Sequence, residues 1–161
     1  MPGALLKRAA RFGFRTDQGL IDAKTWRQGS VLLAVPLAVL TFIWLLWAPF
    51  VRPLAEAGPP SYPEALAAYG FLLIYGFAVL FGAIAHYNLS VKRWRDRGWT
   101  FPEATAALLP LSALFSGAAH LVQPRVADVM PYWHVLLMDL ALAAVIAWNA
   151  VELGWLGGRS K

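Results

Sequence analysis

The sequence predicts an all-α integral membrane protein. It is read as a four-helix bundle with both termini in the cytoplasm and a short basic amphipathic segment ahead of the first span. Three observations lead there. The 161 residues are 59% hydrophobic, with a mean hydropathy of +0.54, more apolar than a soluble domain that must cover itself with polar surface. Four runs approach the roughly 20 apolar residues that a helix needs to cross a bilayer. Twelve of the 14 Lys and Arg residues lie on one side of those runs, the asymmetry by which cationic loops fix topology.

Residues 1–29 read as a basic cytoplasmic segment. Leu5, Leu6, Ala9, Ala10, Phe12 and Phe14 mix there with Lys7, Arg8, Arg11 and Arg15, a composition suited to lying on the inner membrane face. The transmembrane domain spans 30–153. Its first helix, 30–50, carries no charge and ends in Trp47-Ala48-Pro49-Phe50. A signal peptide has a shorter apolar core and a small-residue cleavage site, so this run is read as a retained helix. The Pro-, Gly- and Ala-rich stretch 52–63 is an external linker.

The second helix, 67–91, again lacks formal charge and is studded with Gly70, Gly76, Ala78 and Gly82. Small residues four apart let backbones approach closely, which makes this helix either the packed centre or a partner-facing one. The third, 103–122, follows Phe101-Pro102, with Glu103 near its positive end. Pro110, Ser112, Ser116 and His120 make it the weakest of the four. The fourth, 132–153, carries Asp139, and 154–161 is a cytoplasmic tail. Pro36 and Pro110 are expected to kink their helices, which neighbouring groups in a bundle can accommodate.

The cations divide sharply. Lys7, Arg8, Arg11, Arg15, Lys24 and Arg27 precede the first helix; Lys92, Arg93, Arg95 and Arg97 follow the second; Arg159 and Lys161 lie in the tail. Only Arg52 and Arg125 fall on the other side. Cations so placed meet anionic headgroups, which accounts for the net charge of +5 without a nucleic-acid partner.

The segment Val91-Lys92-Arg93-Trp94-Arg95-Asp96-Arg97-Gly98-Trp99 reads as a cytoplasmic loop. Asp96 offsets part of its arginine neighbours' repulsion, and Gly98 supplies the positive φ of a tight turn. Trp94, Trp99, Trp26 and Lys24 are placed at headgroup level. Lys92-Arg93, Asp96 and Gly98-Trp99 resemble the basic-basic-x-x-Asp-x-Gly-aromatic signature of the domain-of-unknown-function 805 family, small bacterial inner-membrane proteins. Gly19-Leu20-Ile21-Asp22-Ala23-Lys24-Thr25-Trp26 is similar in spacing to that family's segment before its first span. Leu20 and Arg95 stand where the family usually has Arg and His, and Thr25 replaces an aromatic. The resemblance implies fold and an inner-membrane location, with no activity to carry over. The two segments are read as anchors and topology determinants, or as a paired docking surface.

Polar residues inside the spans supply the site candidates. An acid within a span costs at least ~2.5–3.5 kcal/mol on insertion scales, so Asp139 should face protein or water. Helix rise puts it roughly 10 Å below the outer edge. The same bookkeeping brings Thr41, Tyr75 and Ser116 to its layer, which suggests one intramembrane polar cluster. His120 and His134 lie near the outer helix ends, and His86 near the inner end of the second helix. A histidine in a span can ligate haem or chlorin, but these lack the local spacing of a metal site.

There is no cysteine, hence no disulfide or thiolate chemistry. No Gly-rich phosphate loop, His-Glu-x-x-His or Gly-x-Ser-x-Gly motif occurs. No catalytic residue, metal or cofactor is therefore assigned. The leading expectation is a non-catalytic accessory or structural subunit of a larger bacterial inner-membrane complex, with the lipid bilayer and other membrane subunits as partners. The alternatives are a small proton, ion or solute pathway centred on Asp139, and a haem- or chlorin-binding subunit using a histidine.

Overall fold

A computed structural model describes residues 19–56 and 63–156. The basic stretch 1–18 and the end of the tail lie outside the described residues. All regular structure among those described is helical: α1 (Ala23–Glu56), α2 (Pro63–Asp96), α3 (Pro102–Val122) and α4 (Tyr132–Asn149). A 3-10 turn, Gln123–Arg125, follows α3, and a π-helical segment, Ala150–Trp155, continues α4. Four helices are each long and apolar enough to cross a membrane.

The helices exceed the apolar runs where polar residues sustain them. α1 starts seven residues before its expected boundary because Asp22 caps it: its Oδ1 accepts the Thr25 N–H at 2.9 Å, answering one of the first-turn donors a helix leaves open. α2 continues five residues past 91, so the expected loop Val91–Trp99 is mostly helix. Its turn is confined to Arg97–Thr100, where Gly98 has φ 70°. Hydropathy marks where lipid would end, whereas a helix ends where its hydrogen-bond ladder does. Pro36 and Pro110 both sit inside uninterrupted helices.

α1 packs on α2, α2 on α3, and α3 on α4, while the π-helical segment reaches back to α1. That closure gathers the buried cluster of Ile21, Trp26, Val91, Trp94, Ala106 and Leu153, flanked by Tyr87, Leu89 and Trp148. Elsewhere most large apolar side chains face outward, Val135 and Ala119 in the α3–α4 seam excepted, and the most apolar stretches of α1 and α2 hold no buried residue. A chain surrounded by hydrocarbon gains nothing by hiding leucine from its solvent, so close packing appears where small residues permit it. A Cβ on Gly29 would meet Leu89 Cδ1 at 2.8 Å, and one on Gly154 would meet Trp26 Cζ3 at 3.3 Å. Gly70, Gly76 and Gly82 face open space. α2 is thus the central helix in packing order, and no atom stands within 4 Å of where a Cβ on Gly70, Gly76 or Gly82 would lie, although Gly82 borders the groove between α1 and α2.

This contrast sets an expectation for unfolding in detergent micelles. Gly154→Leu should destabilise by about 1–3 kcal/mol through overpacking against Trp26. Gly76→Ala should leave stability unchanged or raise it by up to about 1 kcal/mol, since alanine is the better helix residue. Thermal melting of the two variants beside the parent checks both.

Candidate functional site

Two polar constellations stand out, one at each end of the helices. At the closed end the two motif segments meet. Trp26 donates its Nε1–H to Ser90 Oγ at 3.2 Å, Ser90 Oγ lies 3.4 Å from His86 Nδ1, and the Trp26 and His86 rings meet edge-on at 5.8 Å. Trp94 is fully buried, its ring 5.0 Å from Trp99 and 5.1 Å from Trp148. The continued helix turns it inward among the ends of α2, α3 and α4. Trp26 is likewise buried, whereas Lys24 and Trp99 are exposed.

Lys92 and Arg93 are also buried, with 0% and 1% exposure. Arg93 explains how a guanidinium is tolerated there. Its Nε donates to the Leu153 carbonyl at 3.0 Å, one terminal nitrogen to the Leu156 carbonyl, and the other pairs with Asp96. The last carbonyls of a helix have no partner of their own and carry the negative end of its dipole. A planar fork of five N–H groups can cover two of them and a carboxylate together. Arg93 therefore caps the end of the fourth span from the end of the second. Arg95 pairs with Glu103 and Arg97 with Glu152, so three acids from three separate elements answer the three arginines. The sequence already sets Asp96 against its arginine neighbours; Glu103 comes from the start of α3 and Glu152 from the π-helical segment that continues α4.

At the far end the expected single cluster resolves into two sets. Thr41 and Tyr75 hydroxyls are 2.9 Å apart and join α1 to α2, with Thr41 also donating to the Leu37 carbonyl at 2.8 Å. Ser116 donates to Asp139 Oδ1 at 2.6 Å, and His120 Nε2 lies 3.0 and 3.2 Å from the two carboxylate oxygens, joining α3 to α4. Among the described residues no hydrogen bond links the sets. They occupy different helix seams, and depth counting carries no azimuth. His134 contacts the Pro131 carbonyl and stacks on Trp133, apart from Asp139. No group of three or more His, Asp or Glu that could hold a metal ion gathers among the described residues. The chain matches no family model, no curated protein and no solved structure.

The Asp22 carboxyl is held below its usual range, chiefly by the hydrogen bond with Thr25. The cap is thus intact above the ordinary carboxylate range and lost as pH falls through the depressed folded value. The Thr25 amide shift in NMR should follow that titration, and Asp22→Asn, which caps without titrating, should abolish it. Arg93→Ala should cost about 3–5 kcal/mol, because it strands a carboxylate and two carbonyls in a buried site. Arg93→Lys should recover part of that loss, a point charge replacing the fork. Melting midpoints of both variants in one detergent give the ranking.

Proposed function

We propose that this chain is a non-catalytic, multi-pass subunit of the bacterial inner membrane, with both termini cytoplasmic, that packs against a larger membrane complex. The observation that supports the reading is the unused room at Gly70, Gly76 and Gly82. A glycine inside a helix is destabilising by roughly 0.5–1 kcal/mol relative to alanine. Within this chain nothing approaches those three positions closely enough to need the missing side chain. Close approach of another helix is what small residues provide in a membrane. The bias of twelve cations to two supports the orientation, and the resemblance at Gly19–Trp26 and Lys92–Trp99 supports the inner membrane.

The chain contains no cysteine, which makes topology directly measurable. A single cysteine at Lys24 should label only in inside-out vesicles, and one at Asp128 only in right-side-out vesicles. Gentle purification from native membranes should retain a stoichiometric partner, and Gly76→Leu should release it without lowering the melting point of the chain. A lone species from the parent protein would count against the subunit reading.

A further inference from the structure

We propose that the α3–α4 seam at Asp139 is the docking surface for a partner membrane helix bearing a lysine or arginine. This rests on the subunit reading above and adds a second contact face, apart from the α2 glycines, and the chemistry of the helix that meets it. Ser116 and His120 lie one helical turn apart on α3, so both reach the same carboxylate across the seam. Neither brings a fixed charge: one is a hydroxyl, and the imidazole is cationic only when protonated. A carboxylate offers about four acceptor positions, and among the described residues Asp139 bonds with Ser116 and His120.

The back of the seam is shut. Val135, one turn before Asp139, is fully buried, and Ala119, beside His120, is nearly so. The front is open: the Asp139 side chain is 38% exposed and that of His120 50%. Leu136 and Leu140 stand exposed on the same helix. The open acceptor positions are therefore bordered by leucine, on a helix apolar enough to lie in a membrane. An acid so placed is stabilised by a cation arriving from the side with its own apolar helix around it. The complement is a transmembrane segment with one Lys or Arg at the depth of Asp139, roughly 10 Å from the helix end.

A defined probe tests this. The full chain is reconstituted in phosphatidylcholine vesicles. It is mixed with a synthetic Leu/Ala transmembrane helix carrying one Arg at that depth, or with the same helix carrying Leu there, and association is read by energy transfer. The expected result is about tenfold tighter association of the Arg helix. Asp139→Asn, which keeps an acceptor for Ser116, should remove the discrimination while melting as the parent does.

Equal association of the two helices with the parent chain would overturn the proposal, as would discrimination that survives in Asp139→Asn. Equal association together with a proton conductance lost in that variant would replace it with a proton pathway. Should Asp139→Asn fail to fold, a photoreactive group beside the probe's Arg decides on the parent chain alone. Reaction at Leu136 or Leu140 supports the seam, and reaction at Leu73 or Phe77 of α2 overturns it. Arg-helix discrimination without any native partner would sink the subunit reading and leave this surface standing. A native partner released only by Gly76→Leu, and held equally by Asp139→Asn, would do the reverse.

Discussion

The contact between the Arg93 guanidinium and the terminal carbonyls of the fourth span is the constraint on which the arrangement depends. It joins residues 60 positions apart in the chain and fixes the height at which α4 ends against α2. With that height set, Leu153 is buried, Gly154 lies under the Trp26 ring, and Glu152 comes within reach of Arg97. Trp94, next to Arg93 in the helix, then fills the space between the Trp99 and Trp148 rings. Arginine suits this position because it stays charged in a buried site and spreads its donors over a plane.

The two ends of the molecule obey different rules. At the closed end, cations, carbonyls, the Trp26 indole and a serine are joined by hydrogen bonds, whereas the buried Trp94 ring is held by its aromatic neighbours. Farther along the helices, α1 meets α2 through one hydroxyl pair, and α3 meets α4 through one carboxylate with two partners. Those thinner seams leave most side chains facing outward, where lipid or a neighbouring helix decides their environment. The buried cluster is therefore gathered at the helix ends around Trp94.

What was legible in the sequence follows the same division. The number of spans and their apolar cores could be read because a bilayer imposes one length on every crossing. The Gly98 turn and the pairing of Asp96 with an arginine were local enough to see. The start of α1 was missed because Asp22 and Lys24 look like the end of a span to a hydropathy argument, although a capped helix tolerates both. The role of Arg93 was invisible for a plainer reason: its partners in the fourth span are backbone carbonyls of Leu153 and Leu156, which leave no mark in side-chain chemistry. Asp139 accepts from Ser116, and Thr41 bonds with Tyr75 in another seam, a division that the rise along a helix does not reveal because it says nothing about rotation around it.

The capping of one helix by a residue two spans earlier also has a consequence in time. A ribosome adds roughly 5–20 residues per second, so the ~60 residues between Arg93 and Leu153 take on the order of 3–12 s to make. Throughout that interval α1, α2 and the emerging α3 hold a guanidinium whose acceptors in the fourth span have not been synthesised. The first half of the protein therefore waits in an unfinished state, with its charge turned toward water or headgroups. It closes only when the last span delivers its carbonyls, so the arrival of α4 is the step that commits the whole chain to its final form.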